Sequence, residues 1–230
     1  MSRTDLKPIH IWGKGGPNPP KVAMILGELD LPHELQFVDF SEVKQPAYLA
    51  INPNGRIPAM HDPNTGITLW ESAAIILYLI ETYDKSQKIS FAPGTPEHHH
   101  AHQWLLFQAS GQAPYYGQAT WFHKYHSERL PSAVARYVAE MRRVTGVLET
   151  WLTKQKAENE GKGGDGPWLV GNKASYADIA FVSWQLIGPT TVEGQGFDAD
   201  EFPVVKDWLA RLTARPGVAY GWSTKQVPGH

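Results

Sequence analysis

The 230-residue sequence has no cysteine. Disulfides, thiolate metal sites and every cysteine nucleophile are therefore excluded. Long apolar runs are missing too, so no stretch reads as a bilayer span, and the first residues show no signal pattern. The expectation is a cytoplasmic chain with no membrane partner. Charge of one sign is not in excess. A formal net charge of −2 gives no footprint for a polyanion, and no nucleic-acid partner is expected. HExxH is absent. His98, His99, His100 and His102 form a cluster in which His98 and His102 sit one helical turn apart. No acidic partner follows at ligand spacing, so no metal is expected and these read as surface or interface histidines.

What the chain has is turn chemistry, concentrated in Asn52 to Ser72, NPNGRIPAMHDPNTGITLWES. This stretch reads as a tight turn, a strand over 57–60, a turn at Asp62-Pro63-Asn64-Thr65-Gly66, a strand over 67–70 and a helix start at Glu71-Ser72. Upstream, Ile9 and Ile11 suggest a short strand. Pro19 and Pro20 suit the first turn of a helix, where a missing N–H costs nothing. Val22, Ile25, Leu26 and Leu29 share one face of that helix. A second strand is expected over 35–40 and a short helix over 46–51. The helix over 73–83 is apolar on nearly all sides and reads as buried.

The resulting order, β-α-β-α-β-β-α, is that of a thioredoxin-like α/β domain, assigned to 1–84. A change to polar residues, Gly and Pro marks a linker over 85–95. No strand pattern follows, so 96–230 is assigned to an all-α C-terminal domain. Its helices are expected over 96–118, disturbed near Gly111 to Pro114, then from Pro131 through Trp151, over 176–187 with a stop at Gly188-Pro189, and over 202–214. Residues 158–167 read as a mobile loop and 1–8 as a frayed start. Ser175-Tyr-Ala-Asp178 is a capping box with Asp in the place of Glu, worth about 1 kcal/mol through its Ser.

The loop from Gly13 to Pro20 faces the end of the sheet where open α/β folds bind ligands. From Leu6 through Phe40 there is no Ser, Thr, Tyr or Cys, so this loop supplies no nucleophile and no hydroxyl donor. Its polar neighbours are Lys14, Asn18 and Lys21. Asn18 has two readings, an N-cap or an amide N–H aimed at an anionic ligand atom over the helix terminus. A thiolate fits the second. A free thiol titrates near ~8.5, and each unit of depression takes ~1.4 kcal/mol. One charge-assisted hydrogen bond gives roughly 1.5–3 kcal/mol and a helix terminus about 0.3–1. Together they bring a bound thiol to about pH 6–7 without a general base.

Other residues also carry paired readings. Ile57-Pro58 is an ordinary trans bond, or a cis bond that presents the Ile57 backbone to a peptide in strand fashion. Glu71-Ser72 is a plain helix start, or a holder for an amino-acid end, with Ser72 and helix amides on a carboxylate and Glu71 on an ammonium. Arg56 is a solvated turn residue or a ligand contact. Tyr115, Tyr116, Trp121, Phe122 and Tyr125 form an aromatic patch, either core or a wall for an apolar ligand.

PNPPKVAMILGEL, NPNGRIPAMHD, LWESAAIILYLIETY and SYADIAFVSW together resemble the glutathione transferase family, from about Ile9 to Gly217. Within it, Pro17-Asn18-Pro-Pro-Lys21-Val22 and Asn52-Pro-Asn-Gly-Arg-Ile-Pro58 are similar to the branch of the yeast nitrogen-catabolite regulator and the bacterial Nu-class enzymes. The resemblance implies bound glutathione. It assigns Asn18 to the thiol, Ile57 before a cis-Pro58 to the cysteinyl backbone, Glu71 and Ser72 to the γ-glutamyl end, and Arg56 to a glycyl or γ-glutamyl contact. It also assigns Lys44 to the glycyl carboxylate and Arg136 to glutathione of a partner subunit. The chain departs from Tyr-, Ser- and Cys-type members, which carry their own residue in the first loop. It also lacks the long Gln/Asn-rich segment of the yeast regulator, and its loop 41–45 is shorter.

The expected function is therefore a dimeric, glutathione-dependent transferase of detoxification type. Thiol–disulfide (disulfide reductase) chemistry is expected in preference to conjugation of halogenated aromatics. An apolar electrophile or a disulfide is the expected co-substrate. The alternative is a non-catalytic regulator or a carrier of hydrophobic ligands.

Overall fold

The computed structural model describes residues 5–161 and 163–225. The chain divides into two compact units, one of 1–88 with 214–230, the other of 89–213. Residues 1–4, 162 and 226–230 lie outside the described residues, and with them part of the expected frayed start, of the 158–167 loop and of the C-terminal span.

The first unit runs β1 (Ile9–Trp12), α1 (Pro19–Glu28), β2 (His33–Gln36), α2 (Pro46–Leu49), β3 (Ala59–Asp62), β4 (Ile67–Trp70) and α3 (Ser72–Tyr83). This is the expected thioredoxin-like order. The sheet order is β2-β1-β3-β4, with β1 and β2 parallel and the remaining pairs antiparallel. Ile9 and Ile11 are fully buried between their neighbours, as alternation requires.

Helix α1 is buried on more than one face: Val22, Ala23, Met24, Ile25 and Leu26 are all inaccessible. The reason is a helix that the sequence reading missed, α9 (Pro216–Ser223). It packs on α1 backbone to backbone. A β-carbon on Gly221 would lie 2.3 Å from the Met24 nitrogen, and one on Gly217 would lie 2.5 Å from that of Glu28. Residues 214–225 thus group with the first unit, whereas the sequence reading assigned them to the helical domain.

Strand β2 covers 33–36 rather than 35–40. Its register starts at Ile9 opposite His33 and ends at Trp12 opposite Gln36, and β1 has no further residue to offer before Gly13 turns away. Phe37 and Phe40 are left exposed. Strand β3 likewise begins two residues later than expected, at Ala59.

The second unit is helical: α4 (Pro96–Phe107), α5 (Ala113–Lys124), α6 (Pro131–Glu158), α7 (Tyr176–Thr191) and α8 (Pro203–Thr213). A π turn over Gln108–Gln112 separates α4 from α5, where a disturbance was expected. Ile89 and Ser90, within the expected linker, are buried in this unit, and the Ile89 carbonyl accepts from the Tyr176 N–H at 2.8 Å.

Gly188-Pro189 does not stop α7. The helix continues to Thr191 with Pro189 inside it, and Gly188 is a packing residue: a β-carbon there would lie 2.6 Å from the Tyr116 ring. In this last turn the carbonyls of Ile187 and Gly188 accept from the Thr190 and Thr191 hydroxyls, each at 2.8 Å. The capping box forms at Ser175. Asp178 is fully buried and accepts from the Ser175 N–H and hydroxyl, the Leu169 N–H and the Trp208 indole. Burial pushes its pKa up, and these donors pull it back.

Candidate functional site

The turn over 52–58 is held from within. Asn52 is buried; its Oδ1 accepts from the Asn54 N–H at 2.9 Å, and its amide donates to the Arg56 carbonyl at 2.6 Å. The Tyr48 hydroxyl donates to the same carbonyl at 2.8 Å. Burial raises the Tyr48 pKa, which keeps this donor protonated. The peptide plane entering Ile57 is thereby fixed. The Ile57-Pro58 bond is cis, which settles the choice left open by the sequence. Ile57 lies before the ladder, whose first pair is Ala59 with Trp12.

Gly13 brings the first loop against this turn. A β-carbon on Gly13 would sit 2.8 Å from the Ile57 β-carbon and 3.3 Å from the Pro19 ring, and its φ of +120° is one that side chains rarely adopt. Gly13 therefore lies between Ile57 and the head of α1. Asn18, one residue before Pro19, is half-buried there with helical dihedrals, and its side chain makes no capping hydrogen bond to α1. Asn18 thus occupies the N-cap position of α1 without supplying a side-chain cap.

Two further residues join through Asn54. The Lys44 ammonium donates to the Asn54 carbonyl at 2.8 Å and folds over Gly55, where a β-carbon would lie 2.9 Å from that nitrogen. The Asn54 amide reaches Glu71 Oε1 at 3.5 Å. Arg56 is exposed beside them. The turn thus gathers Lys44, Arg56, Ile57 and Glu71, with Gly13 between it and the head of α1.

Glu71 is the N-cap of α3 and has φ +69° and ψ 113°, a sparsely populated region for a residue with a side chain. Such strain persists only where the surroundings over-determine it, and it collects at ligand clamps. Its carbonyl accepts from the Ile75 N–H at 3.0 Å, the first bond of the helix. Ser72 opens the helix, half-buried. A carboxylate, a hydroxyl and a helix N-terminus in sequence suit the two charges of an α-amino acid group.

Lys21, named in the sequence only as a polar neighbour, is 1% exposed in the first turn of α1. Burial pushes its pKa down to about 7, and the Glu71 carboxylate pulls it back up. The signal for it in the sequence was a lysine inside the otherwise apolar run 19–26.

Arg136 lies in the second unit, exposed near the start of α6. Of the aromatic patch, Tyr116 is fully buried and is core. Trp121 and Tyr125 are exposed and adjoin each other, while Phe122 stacks on Tyr137 with ring centroids 5.5 Å apart. The His98 and His102 rings are 4.2 Å apart. Among the described residues there is no group of three or more metal-ligating side chains, and no helix is long and apolar enough to cross a membrane.

Two family models match. The glutathione S-transferase N-terminal domain matches residues 16–82, and the glutathione S-transferase C-terminal domain matches 112–216. The chain is 56% identical over 218 residues to the glutathione S-transferase-like protein tpcF of Aspergillus fumigatus, covering 94% of this chain and 96% of that one. It is 44% identical over 220 residues to glutathione S-transferase 1 of Schizosaccharomyces pombe, covering 90% and 91%. Among solved structures it is similar to the glutathione transferase URE2P6 of Phanerochaete chrysosporium in complex with oxidized glutathione. That likeness has a TM-score of 0.85 and 47% identity, and covers 95% of this chain and 96% of that one.

Proposed function

The chain belongs to the glutathione S-transferase family, in its Ure2-like branch, and we propose that it is an enzyme whose nucleophile is the sulfur of bound glutathione. Glu71 holds the γ-glutamyl ammonium, and Ser72 with the α3 amides holds the adjacent carboxylate. Ile57 pairs with the cysteinyl backbone, Arg56 and Lys44 face the glycyl end, and Asn18 donates to the sulfur. One count needs no ligand: Glu71 is held in a strained conformation beside a turn that Asn52 fixes from within.

The observation that carries the reading is Asn18. It stands at the N-cap position of α1, makes no side-chain capping hydrogen bond to that helix, and has no side-chain hydroxyl or thiol to compete with it between Leu6 and Phe40. An amide donor stabilises a thiolate without taking its proton away, so it suits reactions whose limit is the ionised fraction of the thiol. Disulfide reduction is such a reaction. The bound thiolate attacks one sulfur of a disulfide, giving a mixed disulfide and releasing the other sulfur as a thiolate. A second glutathione thiolate then attacks the mixed disulfide, leaving oxidised glutathione and a second free thiol. Both electrons come from the two glutathiones, and the protein's own lack of cysteine is no obstacle.

The family reading further makes the protein a cytoplasmic homodimer in which exposed Arg136 reaches glutathione of the partner subunit. The experiment is a rate comparison with glutathione, on hydroxyethyl disulfide and on chlorodinitrobenzene. Faster turnover of the disulfide supports the proposal. Faster conjugation overturns the preference, and glutathione binding with no turnover of either would favour a regulator or carrier.

A further inference from the structure

The Arg56 carbonyl accepts twice from the interior. The Tyr48 hydroxyl reaches it at 2.8 Å and the Asn52 amide at 2.6 Å. A backbone carbonyl has two lone pairs, so both are spent. Neither donor is loose: Asn52 is 2% exposed and Tyr48 5%. The Tyr48 ring sits in a cluster with Val38, Val43 and Ala59, against which Trp12, Ile51 and Ile57 pack. The Tyr48 carbonyl in turn accepts from the Asn52 N–H at 2.9 Å, which holds the two donors one helical turn apart.

That carbonyl fixes the N–H of the next residue. The Arg56-Ile57 peptide is trans. Across a trans peptide the C=O and N–H point in opposite directions in one plane. With the carbonyl turned in to Tyr48 and Asn52, the Ile57 N–H is turned out, away from both. Two hydrogen bonds on the carbonyl also polarise the amide, which makes this N–H a stronger donor. A peptide that pairs with Ile57 in strand fashion sets a carbonyl on it.

We propose that Tyr48 is a positioning residue for glutathione, acting through the Arg56-Ile57 peptide: its hydroxyl holds that plane so that the Ile57 N–H meets the cysteinyl carbonyl. This rests on the pairing of Ile57 with the cysteinyl backbone given above. Tyr48 itself touches no part of the tripeptide. Asn52 also serves the Asn54 N–H, so removing it loosens the whole turn. Tyr48→Phe removes one oxygen and leaves the ring in its packing.

The test uses the full chain and three ligands, by calorimetry. Glutathione carries a cysteinyl carbonyl and a glycine. γ-Glutamylcysteine lacks the glycine and keeps the cysteinyl C=O as part of a carboxylate. γ-Glutamylcysteamine lacks both. The parent should bind γ-glutamylcysteine more tightly than γ-glutamylcysteamine. Tyr48→Phe should bind glutathione and γ-glutamylcysteine each about fivefold more weakly, and γ-glutamylcysteamine as the parent does. Asn52 still serves the carbonyl, so the melting temperature should fall by no more than about 4 °C. Hydrogen exchange at the Ile57 amide, followed by NMR, reads the plane itself: glutathione should slow it more in the parent than in Tyr48→Phe.

Equal weakening toward all three ligands is general damage to the site and overturns the role of Tyr48. Weakening toward glutathione alone places the effect at the glycyl end and overturns it too, as does unchanged affinity throughout or equal slowing of exchange in the two chains. A Tyr48→Phe chain that does not fold, or melts lower than that limit, assigns the hydroxyl to architecture and overturns it. A parent that binds γ-glutamylcysteine no better than γ-glutamylcysteamine removes the pairing of Ile57 and the proposal with it. A parent that binds no glutathione overturns the proposed function itself.

Discussion

Arg215 grips Glu28 with two bonds, Nη2 to Oε2 at 2.6 Å and Nε to Oε1 at 3.2 Å, and so ties α9 to the last turn of α1. The Glu28 side chain is almost wholly buried and Arg215 only partly so. Removing Arg215 leaves a buried carboxylate without its cation, which is far more costly than losing a surface pair. Arg215→Ala should lower stability by about 2–4 kcal/mol in urea unfolding. Arg215→Met combined with Glu28→Gln should recover much of that loss, because no unpaired charge remains.

The contact of α9 with α1 also sets a limit on side-chain size. Gly221→Ala would place a methyl 2.3 Å from a backbone nitrogen, which cannot yield as a side-chain tip can. The expected cost is about 3 kcal/mol or more, the upper range for overpacking. Gly146→Ala is the control. It lies inside α6 with the nearest atom 3.9 Å away, and it should stabilise by about 0.5–1 kcal/mol through helix propensity. Opposite shifts in melting temperature for these two glycines are the expected result.

Lys21 predicts a pH dependence of stability. Its pKa is about 7 in the folded chain and returns toward 10.5 on unfolding. Between those values the unfolded chain binds more protons than the folded one, so stability rises with pH across that window and the group contributes no slope below it. Relative to Lys21→Met, the parent should gain up to about 1.4 kcal/mol per pH unit between about pH 7.5 and about pH 9.5. Parallel stability curves for the two chains would contradict the burial of the charge.

Much of this was legible from residue patterns, and the failures share a cause. The βαβ start, the hairpin and the capping box at Ser175 depend on local turn and cap chemistry, which the chain states outright. Strand β2 was misplaced because Phe37 and Phe40 look like strand residues, while its register is set by the four residues of β1. The stop at Gly188-Pro189 failed because Gly188 serves close packing against Tyr116, distant in the chain, rather than a turn. Helix α9 went unread because Pro216-Gly217 resembles an ending, and only the face of α1 shows why glycine is needed there. Around the candidate site, Asn18, Glu71 and Ser72 could be named from their places at helix starts and from the family resemblance. The burial of Lys21 could not, since it depends on the packing around the head of α1.

The central claim is that one amide ionises a sulfur that the chain itself does not possess. It is tested most directly by titrating bound glutathione through its thiolate absorbance in the ultraviolet, on the parent and on Asn18→Ala. The account predicts that the parent titrates near about pH 6–7, and that Asn18→Ala still binds glutathione with its thiol shifted up by about one unit or more. The same titration midpoint in both chains would contradict it.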